Sequence, residues 1–292
     1  MLPIDSTQAI RYASLVGIAY SVTPDADYDA ATIAKIEASG FHHRYTLYGD
    51  ELATEIDPDL GKIVTFGFVA ASDQGELVAV IRGTVSIMDW VHDASFLMVP
   101  CPINRGSGMT EDGFSSVYRS LRIGRGTGAA SAQSAIGTAL AEGGIKSVTI
   151  AGHSLGGALA HLLGFDVALN TACRDPQVYT YASPRVGDHF FAASYNSAVP
   201  HTYRIVNRQD LVPQLPPILP LPYEHPNTKY ELNPAPGKMA GNIVCMHILS
   251  SYLWLMDQLA GTQTWPLGSG CGPAPPPTEA TFAGAATPAG AS

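Results

Sequence analysis

Stretches with two different periods alternate along this chain. Residues 7–20, "TQAIRYASLVGIAY", place Ile10, Leu15, Ile18 and Ala19 on one face, the spacing of an amphipathic helix. "KIVTFGFVAAS" (62–72) and "GELVAVIRG" (75–83) are instead continuous apolar, β-branched runs. The turn residues Ser72-Asp73-Gln74-Gly75 join them, which predicts a hairpin. A short helix-like stretch spans 86–93. "EDGFSSVYRSL" and "SAQSAIGTALAEGG" then read as a long helix, with an interruption possible at "GRGTG" and an end at Gly143-Gly144. A short strand, "KSVTIAG", runs directly into the helix "SLGGALAHLLGFDVAL". Two further strands, "QVYTYASP" and "HTYRIVN", follow. The alternation over 113–207 predicts a mostly parallel sheet with helices on both faces. Residues 213–222, "PQLPPILPLP", cannot be a helix or a central strand, and a last helix is expected over 247–260.

This pattern suits a single α/β domain over 1–265. The Pro/Ala/Gly-rich remainder, 266–292, carries almost no large apolar group and is expected to add nothing to the core. The chain of 292 residues is long enough to bury a sizeable core. Charged residues make up only 14% and the formal charge is −9, which argues against nucleic acid as a partner. No run of about 18 apolar residues suggests a membrane span. The N-terminus lacks a basic start, and Asp5, Gln8 and Arg11 interrupt it, unlike a signal peptide. Cys101, Cys173, Cys245 and Cys271 form no metal-ligand spacing, so no metal site is expected; they allow three disulfide pairings, and the residues do not choose among them.

The chemistry gathers at Gly152-His153-Ser154-Leu155-Gly156, a G-x-S-x-G motif between a predicted strand and a predicted helix. Such a turn lifts one hydroxyl above the sheet edge, beside the helix N-terminus. A capping serine in a Gly-rich turn is the plainer reading; the strand before and the helix after favour a nucleophile. A serine nucleophile needs a base and a carboxylate to orient it, in the chain order Ser, Asp or Glu, His. Asp210 follows a strand at its carboxyl end, where open α/β sheets build their sites. Asp175 lies at the wrong end, and Asp188 reads as a helix cap. His201 begins a strand. His225 and His247 remain as candidate bases, and His247, between an apolar run and a helix, is the better placed. For an oxyanion, the Leu155 N–H and Thr84, in the loop after "VAVIRG", are candidate donors.

The set "IRGTVSIMDWVHDASF", "EDGFSSVY", "VTIAGHSLGGALAHLLGFDV", "YTYASPRVGDHFFA" and "YRIVNRQDLVPQLPP" resembles the class 3 lipases, typified by filamentous-fungal triacylglycerol lipases, from about residue 10 to 260. The resemblance implies an α/β-hydrolase fold with a short lid helix, no cofactor, hydrolysis of carboxylic esters, and secretion, although these residues alone leave the cytoplasm open. It carries the nucleophile onto Ser154, the acid onto Asp210, the base onto His247, and the oxyanion donors onto Thr84 and Leu155. It implies a lid at about 85–93 that opens at lipid interfaces; there Ile87, Trp90 and Val91 share one apolar face. Leu211, Val212, Leu215, Ile218, Leu219 and Leu221 are candidates for an acyl-binding wall. Fungal members tie the first helix to the C-terminus with a disulfide. Here that helix ends "GIAYSVTP", leaving Cys271 without that partner. The expected activity is that of a triacylglycerol lipase on a small or emulsified lipid ester. Feruloyl esterase or phospholipase A1 is the alternative on the same scaffold, and an inactive binding protein is a more distant one.

Overall fold

The computed structural model describes residues 4–51, 62–84, 96–126, 128–234, 243–262, 264–267 and 271. Helices α1 (Ser6–Tyr20) and α2 (Ala30–Ala38) come first, followed by strands β1 (His42–Asp50), β2 (Ile63–Ala71) and β3 (Glu76–Ile81). Next are β4 (Met98–Pro100), β5 (Met109–Glu111), α3 (Asp112–Ser120) and α4 (Ala132–Ala141). The central unit is β6 (Ser147–His153), α5 (Leu155–Asn170), β7 (Gln177–Tyr181), β8 (Gly187–Asp188), α6 (His189–Ala198) and β9 (Thr202–Asn207). A 3₁₀ turn (Val212–Gln214), β10 (Tyr223–Glu224), β11 (Lys229–Leu232), α7 (Ile243–His247) and α8 (Leu249–Ala260) complete the described elements.

The main sheet has seven strands in the order β1-β2-β3-β6-β7-β9-β11. β1, β2 and β3 are antiparallel, and every pairing from β3 to β11 is parallel. This is the α/β-hydrolase fold. The unbroken apolar runs of β2 and β3 follow from this layering, because both faces of the sheet are covered. Leu77, Ala79 and Ile81 pack into the core shared with α3, α4, α5 and α6. The alternate residues Val78 and Val80 pack into the core shared with α1 and α8. Helix α5 is apolar nearly all round and is buried from Leu155 to Phe165, as a helix enclosed by sheet and neighbours should be.

Several expected elements appear within a residue or two of their predicted limits: α1, the β2–β3 hairpin closed at Gly75, β6, α5, β7 and β9. The long helix expected over 111–144 is two helices, α3 and α4. Between them the backbone of Arg122 exchanges N–H and C=O bonds with Tyr48, which holds that segment extended against β1. The last helix, expected over 247–260, is α8 (Leu249–Ala260), and the short α7 precedes it across a non-helical Ile248. The edge strands β1 and β11 have weak alternation and were not expected, nor was the small sheet β10-β8-β5-β4. Gly143 and Gly144 take positive φ just past α4. Cys245 and Cys271 form a disulfide, leaving Cys101 and Cys173 as thiols. Beyond the expected domain end at 265, Cys271 is therefore tied back to α7 and buried. The expected lid residues Ile87, Trp90 and Val91 lie outside the described residues. Among the described residues, no helix is long and apolar enough to cross a membrane.

Candidate active site

β6 ends at His153 and α5 begins at Leu155, so Ser154 takes the whole turn by itself. Its φ of 58° and ψ of −126° are unusual for a residue with a side chain and cost on the order of 1–3 kcal/mol. The flanking glycines are sterically required. A Cβ on Gly152 would sit 2.0 Å from the Gly156 carbonyl oxygen, and one on Gly156 would sit 2.3 Å from the Ile81 carbonyl oxygen. The Ser154 N–H donates to the Tyr181 carbonyl at 2.9 Å, which pins the elbow to β7.

Three side chains from distant parts of the sequence meet here. Ser154 Oγ is 2.9 Å from His247 Nε2, and His247 Nδ1 is 2.9 Å from Asp210 Oδ2. Asp210 accepts two more bonds, from the Tyr252 hydroxyl at 2.7 Å and the Val212 N–H at 3.0 Å. A carboxylate that only accepts fixes the tautomer: His247 Nδ1 carries the proton, and Nε2 is left to accept from the serine. The Asp210 side chain has no exposure, and His247 is buried. Burial and then the charge of Asp210 push the Tyr252 hydroxyl well above its ordinary pKa, so it stays protonated and donating. Asn207, the last residue of β9, gives its N–H to the Tyr252 hydroxyl and its side-chain amide to the Met246 carbonyl. Asn207 thus couples the acid-bearing loop to the turn that carries the histidine.

A second chain of hydrogen bonds passes behind the serine. The Gly83 N–H donates to the Tyr20 hydroxyl, Tyr20 lies 2.8 Å from His153 Nδ1, and His153 Nε2 lies 2.8 Å from the His247 carbonyl. A carbonyl can only accept, so Nε2 carries the His153 proton and Tyr20 donates to Nδ1. Burial, and then His247 beside it, hold His153 well below the usual histidine pKa and keep it neutral. Burial raises Tyr20 to about 12. The buried Arg82 donates to the carbonyls of Thr65 and Gly83, steadying the turn that leads to Thr84. The Leu155 N–H opens α5, where no intrahelical acceptor exists.

The other sequence candidates are placed as follows. Asp188 caps α6 through the Phe191 N–H, and Asp175 pairs with His201 away from the serine. His225 donates to the Pro213 carbonyl and does not join the Ser154 cluster. Of the expected acyl-wall residues, Leu211, Ile218 and Leu219 are exposed, while Leu215 and Leu221 are half-buried. Val212 is buried, and its N–H serves Asp210. Sequence reasoning missed Tyr252, Tyr20, Asn207 and His153. A polar tip on an otherwise apolar helix face was the only available signal for the two tyrosines.

Comparisons with known proteins bear on the family and the fold. A family model described as lipase (class 3) matches residues 78–219. A secreted mono- and diacylglycerol lipase of Fusarium solani is 30% identical over 179 residues, covering 61% of this chain and 50% of the relative. A phospholipase A1-II of Oryza sativa subsp. japonica is 30% identical over 222 residues, covering 64% and 54%. The chain thus spans about half the length of the curated relatives it matches. Among solved structures, the native Rhizomucor miehei lipase propeptide complex aligns with a TM-score of 0.60 at 25% identity, covering 77% of this chain and 68% of that one. The glycine-flanked serine at the strand-to-helix elbow, the fold around it and these matches lead to one conclusion: residues 78–219 match the class 3 lipase family, within a chain that shares the fold of solved lipases.

Proposed function

We propose that this protein is a serine carboxylic-ester hydrolase of the lipase type. The observation that carries the reading is the unbroken line from Ser154 Oγ through His247 to Asp210, both contacts at 2.9 Å. Ser154 attacks the ester carbonyl carbon while His247 Nε2 takes the hydroxyl proton. The negative charge moves to the carbonyl oxygen, which receives hydrogen bonds from the Leu155 N–H and Thr84. His247 then gives its proton to the departing alcohol, leaving an acyl-enzyme on Ser154. Water, deprotonated by His247, releases the acid and restores the serine. Asp210 keeps the imidazole oriented and stabilises its charged form. No cofactor takes part in these steps.

The relatives named as mono- and diacylglycerol lipases support an acylglycerol as substrate. The relatives named as phospholipases A1 give the second reading, hydrolysis of a phospholipid acyl ester. The apolar face of Ile87, Trp90 and Val91 supports a lid that opens at a lipid surface, and the relatives named as secreted support secretion. A fluorophosphonate probe tests the chemistry: it labels Ser154, and an unlabelled protein would refute the enzyme reading. Rates on triolein, diolein, phosphatidylcholine and methyl ferulate then separate the substrate classes. If the lid is present, Trp90→Ser lowers the rate on emulsified substrate more than on soluble short-chain esters. Equal loss on both would refute the lid.

A further inference from the structure

A cavity of about 550 Å³ opens beside β9, lined by Arg185, Arg204, Arg208 and Lys229 together with Asp210 and Glu231. Arg204 sits within the sheet, in register with Thr180 of β7 and Lys229 of β11, and is only 5% exposed. A guanidinium withdrawn from water without a counter-charge is strongly unfavourable, and proteins normally supply a carboxylate. None is supplied among the described residues. Asp210 is committed to His247, Tyr252 and Val212, and Glu231 is paired with Lys229. Among the described residues, neither Arg185, Arg204 nor Arg208 has a carboxylate oxygen within 4.0 Å. Arg204 spends only its Nε, on the Pro226 carbonyl at 3.2 Å, and its two terminal nitrogens bond to nothing among the described residues. Arg185 donates one terminal nitrogen to the carbonyls of Gln214 and Pro216. Burial, and then Arg185, lower the Arg204 pKa to about 10, and the charge of Arg204 is felt at both His225 and His161.

We propose that this cavity is a binding site for a phosphate-class dianion, with Arg204 and Arg185 as its principal ligands. Among the described residues four cations face two carboxylates, an excess of two positive charges that a phosphate dianion neutralises and a single carboxylate does not. Two guanidiniums offer the planar donor forks that suit tetrahedral oxyanions. The volume exceeds that of one phosphate, so a phosphomonoester carrying a small organic group fits as well as the free ion. The site shares Asp210 with the proposed catalytic cluster, and its test does not use ester hydrolysis.

Isothermal titration of inorganic phosphate into the full chain at low ionic strength is expected to give one saturable site. Arg185→Gln should raise Kd at least tenfold, and Arg208→Gln by about twofold to threefold. Arg204→Gln should abolish binding. Because that buried variant can fail to fold, Arg185→Gln, checked by circular dichroism, decides the matter. An unsaturable heat, an equal heat from chloride at matched ionic strength, or an unchanged Kd in Arg185→Gln overturns the proposal. Displacement of bound phosphate by short-chain phosphatidic acid below its micelle concentration assigns the site to a lipid headgroup. Bound phosphate that the lipid cannot displace assigns it to a soluble phosphate.

Discussion

Asp210 borders two regions that treat buried polarity in opposite ways. Around the serine, His247, Asp210, Tyr252 and His153 all find partners from within the chain. In the arginine cluster on the same sheet, among the described residues, Arg204 has no acid, and His225 Nδ1, His161 Nε2 and Thr180 Oγ1 are buried without a partner. A fully satisfied network holds its members in one geometry, as a proton shuttle requires. A cationic pocket left unsatisfied by the described residues keeps hydrogen-bonding capacity for the proposed anion. The contrast separates the proposed catalytic site from the proposed anion site.

Substitutions on the two sides should diverge. The largest effect belongs to Ser154→Ala, which should lower kcat on a soluble short-chain ester by on the order of 10⁶ while leaving the circular dichroism unchanged; substantial remaining turnover would refute the nucleophile. His247→Ala should come close to that loss, whereas His225→Ala should keep most of the rate, because His225 bonds the Pro213 carbonyl and does not touch Ser154. Equal losses in the two histidine variants would erase the distinction between the regions. Tyr252→Phe removes one of three donors to Asp210 and should lower kcat roughly tenfold, equivalent to about 1.5 kcal/mol for a bond to a charged acceptor; an unchanged rate would make that tyrosine a packing residue.

The smallest effect is on stability and depends on pH. His153 and His225 are held well below the usual histidine pKa, and His161 is lowered to about 3, in each case mainly by burial. Below about pH 6.5 the unfolded chain therefore binds protons that the folded chain refuses, and stability falls as the pH drops through that range. The midpoint of thermal unfolding should decline between pH 6.5 and 5. His161→Gln should flatten that decline, and an identical slope in the variant would count against a neutral buried His161.

Much of this was legible in advance, for particular reasons. β3 could be read because both of its faces are buried, which leaves a continuous apolar run. Ser154 could be read because the elbow excludes side chains at Gly152 and Gly156, so steric need is written into residue identity. Asp210 could be read because it follows β9 at the carboxyl edge of the sheet. β1 and β11 could not be, since edge strands carry one-sided and broken patterns. The split between α3 and α4 arises from the pairing of Arg122 with Tyr48, residues 74 positions apart, which no local window contains. The residues themselves favoured His247 over His225 without excluding His225, and the resemblance carried the base onto His247. The disulfide partner of Cys271 was likewise undecided until α7 brought Cys245 beside it.

The sequence by itself determined the layers of the fold, the elbow and the order of its reacting groups, because periodicity and backbone sterics are local. Only the tertiary structure decided which histidine meets the serine, that Tyr252 and Tyr20 complete two hydrogen-bonded chains, and that Arg204 is buried without an acid among the described residues. Those outcomes depend on which distant segments share one desolvated volume, where a charge or a hydrogen bond is strong only against the neighbour that folding provides.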